Sequence, residues 1–283
     1  MQTFHERLFR WMEQSLAEDI GAGDHSTLSC IPTEAVGRAV LLIKQPCILA
    51  GISVAEQIFS FFDPSVQWDQ HHFDGNKVNP GDKAFVVTAR MHTILQCERL
   101  VLNALQRMSG IATLTDRFVK KIEGYSTRIL DTRKTTPNFR FLEKEAVRIG
   151  GGSNHRMGLY DMIMLKDNHI DYCGGIVPAI ERAYAYTQRV DPTLKIEVET
   201  RTLQEVKEAV QTGKVDRIML DNFNTENLRE AVEFIGGRTA TEASGGIHLD
   251  NICEYAATGV DFISVGALIH QAQSVDMSLK AIK

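Results

Sequence analysis

The run Lys195-Ile196-Glu197-Val198-Glu199 leads through Leu203-Gln204-Glu205-Val206-Lys207-Glu208-Ala209-Val210 to Asp216-Arg217-Ile218-Met219-Leu220-Asp221. A short apolar run, an amphipathic helical segment and a second apolar run make one β/α unit, the connection that parallel strands require. Working outward, the same alternation extends to Arg128–Asp131, Asp161–Lys166, Thr239–Ser244 and Asp261–Gly266, with a further helical segment at Leu228–Phe234. The later strands recur about every 22 residues, one β/α unit each. Six strands fit between residues 109 and 270, about 160 residues against about 250 for an eight-stranded β/α barrel. A smaller barrel or an open doubly wound sheet satisfies this count. Asp131, Lys166, Glu199, Asp221, Ser244 and Gly266 close the six strands. Functional-looking residues at all six ends, rather than at one switch point, favour the barrel.

Upstream, Phe4, Leu8, Trp11, Met12 and Leu16 recur at helical spacing. Strand-like runs at Ala39–Ile43 and Ala84–Thr88 flank a helical stretch at Ile52–Phe62, and a strong helix follows over Thr93–Met108. The expected fold class is therefore α/β, with an N-terminal α/β domain over 1–108 and the β/α barrel over 109–270. The 283 residues carry 31 Lys+Arg against 36 Asp+Glu, a formal charge of −5 at pH 7. That balance disfavours nucleic acid and anionic membrane as partners. The longest uncharged stretch, Phe262 to Val275, falls short of the ~18 apolar residues of a membrane span. With the charged N-terminal helix, this leads to the expectation of a cytoplasmic protein. The five cysteines are scattered, which disfavours a disulfide framework or structural zinc.

The densest chemistry is Leu130-Asp131-Thr132-Arg133-Lys134-Thr135-Thr136-Pro137, two cations and several hydroxyls directly after a strand. Arg presents a planar fork for carboxylate or phosphate, and Lys a mobile point charge. Gly150-Gly151-Gly152 precedes Ser153-Asn154-His155-Arg156. Consecutive glycines imply a sharp turn or a close approach, and the His-Arg pair makes a ligand-facing loop the better reading than a linker. His155 and His169 lack the spaced partners of a metal set. Glu197 and Glu199 share one face of their strand, so on a buried parallel strand they need cations or a metal. Asp221 and Glu242 extend this acidic wall. Ser244-Gly245-Gly246 and Ser264-Val265-Gly266 close the last two strands, where backbone N–H groups cradle phosphate in barrels. No dinucleotide fingerprint, P-loop or nucleophile elbow occurs.

In order along the chain, Ala17-Glu18-Asp19-Ile20-Gly21, Gly23-Asp24, Glu98-Arg99, Ser109-Gly110-Ile111-Ala112-Thr113, Asp131–Pro137, Gly150–Gly152, His155-Arg156, Lys166-Asp167-Asn168-His169, Glu197–Glu199, Leu220-Asp221-Asn222, Glu242–Gly246 and Gly259–Asp261 resemble the quinolinate phosphoribosyltransferase family. The resemblance implies an N-terminal open-faced α/β sandwich, with 271–283 packing back on it, and a six-stranded β/α barrel. It implies conversion of quinolinate and phosphoribosyl pyrophosphate to nicotinate mononucleotide, pyrophosphate and carbon dioxide, with Mg²⁺ and no organic cofactor. By the same resemblance Arg99, Arg133, His155, Arg156 and Lys166 hold quinolinate, with Arg99 reaching in from a neighbouring subunit of a homodimer or higher oligomer. Lys134, Glu199 and Asp221 carry catalysis, the two carboxylates also meeting Mg²⁺ directly or through water. Lys134, Ser244, Gly245, Gly246, Gly266 and His270 hold phosphoribosyl pyrophosphate.

Two departures stand out. Asn138 occupies the usual glycine position after Thr-Pro, and Ile269 and Gln271 replace the hydroxyls flanking His270. Asn is the non-glycine residue best suited to positive φ, so the turn is expected to survive. The rival readings are the paralogous molybdenum-transport-associated protein of the same fold and a non-catalytic phosphometabolite-binding protein. Lys166-Asp167-Asn168-His169 favours the quinolinate branch.

Overall fold

The computed structural model describes residues 3–282. The chain forms two compact units: 1–116 with 135–151 and 268–283, and 117–134 with 152–267.

The first unit begins with α1 (Phe4–Ile20), whose start is fixed by a reciprocal capping box between Thr3 and Glu6. Leu8, Met12 and Leu16 are its buried stripe. Gly21 takes φ 54° to end α1, and Asp24 caps α2 (His25–Cys30) through the Thr27 N–H. The Ala17–Gly21 and Gly23-Asp24 motifs are thus a helix stop and a helix start. β1 (Val36–Ile43), β2 (Cys47–Ile48), α3 (Ile52–Phe62), β3 (Gln67–Gln70), β4 (Lys77–Val78) and β5 (Lys83–Arg90) follow. The antiparallel sheet runs in the order C-terminal strand Met277–Ile282, β1, β5, β3, with Ala39 opposite Ala281 and Val87. Phe59, Phe85 and Leu41 are fully buried here, and Trp68 stacks on Phe85 with ring centroids 4.0 Å apart.

Helix α4 (Met91–Lys121) continues past Met108, where the sequence suggests a stop. Ile111, Ala112, Thr115 and Phe118 keep the buried stripe going. Gly110 is there because a Cβ would lie 2.0 Å from the Gln273 carbonyl oxygen, so the close approach offsets the ~1 kcal/mol helix cost of glycine. Ser109 and Thr113 take the backbone N–H groups of Ala50 and Ile48. That conserves backbone pairing beside β2 and gives this motif a structural task. Gly150, at the end of α5 (Arg140–Ile149), also serves close packing, since a Cβ would sit 2.5 Å from the Ala112 carbonyl oxygen.

The second unit holds six parallel strands: β6 (Arg128–Leu130), β7 (Ile163–Leu165), β8 (Ile196–Thr200), β9 (Arg217–Asp221), β10 (Ala240–Ser244) and β11 (Phe262–Ser264). The sheet order is β6-β11-β10-β9-β8-β7, so from β7 to β11 each strand lies beside the next in sequence, and the last, β11, pairs with the first, β6. A doubly wound sheet reverses direction at a switch point; this order is cyclic, which is the β/α barrel. Helices α6 (Asp167–Cys173), α7 (Ile176–Val190), α8 (Leu203–Thr212), α9 (Thr225–Ile235) and α10 (Ile252–Ala256) make the crossovers. Among the described residues β6 and β7 form no ladder with each other. Ser153 instead bridges beside Leu130, giving its N–H to the Ile129 carbonyl and accepting from Asp131 N–H. No helix among the described residues is long and apolar enough to cross a membrane.

Candidate active site at the strand ends

Asp131, fully buried at the end of β6, is the anchor of one side. Its carboxylate accepts from the Asn154 side chain at 2.7 Å and the His155 N–H at 2.8 Å. These bonds turn the segment after Gly151, which itself needs φ 90°, across the strand end. Arg156 follows, half-buried, with Nη1 donating to the Met162 carbonyl. Burial and then the nearby Arg133 charge push its guanidinium below its ordinary pKa, while Glu197 and Asp161 oppose the shift. Two arginines set against each other in a partly dry place make a strong anion site. Lys134 is exposed, its N–H held by the Thr132 hydroxyl. Asn138 takes φ 60°, so the turn after Thr-Pro is kept with asparagine in the glycine position.

On the other side, Lys166 is half-exposed and 3.5 Å from the largely buried Glu199 carboxylate. Burial raises the Glu199 pKa; Lys166 lowers it, and the charges of Asp221 and Asp167 raise it again. Asp221 is steadied by Asn222, which donates to it from Nδ2 at 2.6 Å and sits at φ 57°. The Asn222 N–H meets the Ser244 carbonyl at 2.8 Å. A Cβ on Gly245 would be 2.2 Å from Asn222 Oδ1, so glycine is required there sterically as well as by its φ of 95°. Ser244 closes β10, Gly245 and Gly246 follow it directly, and Gly266 lies just beyond β11.

Inside the barrel, Glu197 and Glu242 are fully buried. His155 Nε2 lies 2.9 Å from Glu197 and 3.4 Å from Glu242, and Arg217 Nη1 lies 2.8 Å from Glu242 and 3.9 Å from Glu197. The two carboxylates have therefore found cations. Burial works against protonating His155, but the two glutamates outweigh it and lift its pKa to about 9. The Arg156 N–H aimed at Nδ1 at 2.7 Å opposes the second proton and favours Nε2–H facing Glu197. Burial and the Glu242 charge raise the Glu197 pKa, whereas His155 and Arg217 hold Glu242 low against its burial.

Of the site residues expected from sequence, the second unit carries Arg133, Lys134, His155, Arg156, Lys166, Glu199, Asp221, Ser244, Gly245, Gly246 and Gly266. Arg99, exposed on α4, and His270, exposed at the end of the short helix Ala267–His270, belong to the first unit. Ile269 is buried, and its carbonyl accepts from Arg107. Sequence reasoning missed Arg217 and the part played by Asn222. A parity count would have found Arg217: if Asp221 points inward, so do Met219 and Arg217.

A family model described as "Quinolinate phosphoribosyl transferase, C-terminal domain" matches residues 111–280, and its N-terminal counterpart matches 24–109. The chain is 43% identical over 281 residues to the Arabidopsis thaliana nicotinate-nucleotide pyrophosphorylase (carboxylating), chloroplastic, covering 94% of this chain and 80% of that protein. It is 41% identical over 276 residues to a probable nicotinate-nucleotide pyrophosphorylase (carboxylating) of Synechocystis, covering 96% and 92%. The crystal structure of NadC from Streptococcus pyogenes superposes with a TM-score of 0.93 at 36% identity, covering all of both chains.

Proposed function

This chain belongs to the quinolinate phosphoribosyltransferase family, and on that premise we propose that it makes nicotinate mononucleotide, pyrophosphate and carbon dioxide from quinolinate and phosphoribosyl pyrophosphate. The observation that carries this reading is the pair of arginines, Arg133 and Arg156, at one strand end, where burial and then the Arg133 charge push the Arg156 guanidinium below its ordinary pKa. Quinolinate brings two adjacent carboxylates, and a dianion relieves a repulsion that a monoanion leaves half in place. Arg133 and Arg156 hold the acid on one side of the barrel mouth and Lys166 on the other.

The ring nitrogen attacks the anomeric carbon of the ribose as the bond to pyrophosphate breaks. Positive charge develops on the sugar, and the carboxylates of Glu199 and Asp221 stabilise it electrostatically. The N-ribosylated ring is then cationic, so the adjacent carboxylate leaves as carbon dioxide, its electron pair drawn into the ring and a proton taken at that carbon. Lys134 and the backbone N–H groups around Ser244, Gly245, Gly246 and Gly266 hold the phosphates, with His270 as a further contact.

Glu199 and Asp221 fit a bound cation, because Glu199 is pushed above the ordinary carboxylate value by burial and further by the Asp221 charge. We assign Mg²⁺ to them, directly or through water; when bound it neutralises the leaving pyrophosphate.

The exposed Arg99 on α4 completes the quinolinate subsite of a second copy, which makes the working form a homodimer. Mixed dimers of Arg99→Ala with Arg133→Ala test this. Each mutant homodimer should be nearly inactive, and the mixed dimer should regain one intact site. Mixed dimers without recovered activity, or a fully active Arg99→Ala enzyme, contradict the shared site.

A further inference from the structure

We infer that Glu197, Glu242 and Arg217 form a positioning cluster for the dicarboxylate subsite, acting through His155 on the main chain of Arg156. The inference rests on the assignment of Arg133 and Arg156 to quinolinate. Replacing a buried ion network with apolar residues of similar volume is often neutral or stabilising, so burying two glutamates, an arginine and a histidine in a small barrel calls for a reason beyond packing.

The geometry supplies one. The imidazole of His155 is held on both sides: Nε2 by the glutamates at 2.9 and 3.4 Å, and Nδ1 by the Arg156 N–H at 2.7 Å. His155, its side chain only 5% exposed, fixes the direction in which the chain leaves it. The next residue is Arg156. Glu197 also faces the Arg156 charge and counters the repulsion from Arg133. Arg217, 2.8 Å from Glu242 and 3.9 Å from Glu197, favours the charged form of both glutamates, and is itself pinned with its guanidinium carbon 4.4 Å from the Phe262 ring centroid. Strand register makes the cluster compact, because Glu197 and Arg217 are direct partners across β8 and β9. The cluster reaches the mouth of the barrel through His155 and the Arg156 N–H, on the quinolinate side. It should therefore affect one substrate and spare the other.

Calorimetric titration of quinolinate into the full-length protein, with KM values for both substrates and melting curves, tests this on Arg217→Met, Arg217→Lys and Glu242→Gln. Arg217→Met should raise the Kd and KM for quinolinate about tenfold or more, since a misplacement of ~1 Å can cost about a hundredfold. The KM for phosphoribosyl pyrophosphate should stay within about twofold. Arg217→Lys should recover much of the loss. If Arg217→Met does not fold, Glu242→Gln, which keeps the volume, decides by the same split. Equal rises for both substrates, or unchanged quinolinate binding in every cluster variant, overturn the inference. Arg156→Ala in the same series separates the two possible failures. Weak binding there with normal binding in the cluster variants overturns the cluster alone, and normal binding in Arg156→Ala overturns the subsite it serves.

Discussion

In the sheet unit the buried carboxylate of Asp63 accepts from the Ser65 N–H and hydroxyl, from Arg90 and from the Thr93 hydroxyl, and these donors hold its pKa well below the ordinary range. In the barrel unit Arg156 stands beside Arg133, and Glu199 beside Asp221; burial first, and then the like-charged neighbour, push Arg156 and Glu199 away from their ordinary values. Both regions bury charge, but to opposite ends. The first surrounds a charge with complementary donors until nothing is left over, and the charge serves the fold. The second sets like charges together in a partly dry cleft, which is stable only at a cost and becomes favourable when a ligand of opposite sign arrives. Around Asp63 the rest of the core is plain: Phe59, Phe85 and Leu41 fill the space under the sheet.

The largest separation between the two regions should come from Arg133→Ala. The substitution removes charge-assisted contacts worth ~1.5–3 kcal/mol each, so two contacts predict a fall in kcat/KM of about a hundredfold or more. It also relieves Arg156, so the melting temperature should hold or rise. Lost activity accompanied by lost circular dichroism would break the comparison. Phe85→Ala should do the reverse, costing ~3–5 kcal/mol in chemical denaturation while leaving the KM of the folded enzyme for both substrates unchanged. A shift in either KM would mean that the sheet unit shapes the site directly.

The smallest effect is in pH dependence. Asp63 has a depressed pKa in the folded state, so its contribution to stability is fully present above the unfolded value of about 3.9 and is lost as pH falls through the lower folded value. The stability gap between wild type and Asp63→Asn should stay level from neutral pH down to about 5 and then narrow with acid. A gap that ignores pH would show that the carboxylate's charge is irrelevant to the fold.

Much of this was legible in the sequence because parallel strands are short apolar runs whatever surrounds them. All six barrel strands lie within the runs read from sequence or extend them by one residue, Ile196–Thr200 against Lys195–Glu199 for example, and Ile52–Phe62 is reproduced in full. The polar edge strand Gln67–Gln70 and the C-terminal strand Met277–Ile282 carry no comparable pattern, since their partners across the sheet define them. Gly110 reads as a stop because a helical glycine is costly, and only the carbonyl of Gln273, far along the chain, explains it. The glycines at 150 and 151 carry a helix contact and a turn, so their link to the site is indirect. Arg133, Lys166, Glu199 and Asp221 were readable as strand-end charges. Arg217 was hidden at the other end of its strand, next to Asp216, where it looks like part of a solvated turn.

The central claim is that clustered cations at the strand ends select a dicarboxylate. The direct measurement is turnover of quinolinate and of nicotinate by the same purified enzyme with phosphoribosyl pyrophosphate and Mg²⁺, followed by pyrophosphate release and, for quinolinate, carbon dioxide release. A site built to pair several buried cations rejects an acid that leaves them unmatched, by about a hundredfold or more in kcat/KM. Quinolinate should therefore be converted with matching release of both products and nicotinate far more slowly. Comparable turnover of the two acids would contradict the account.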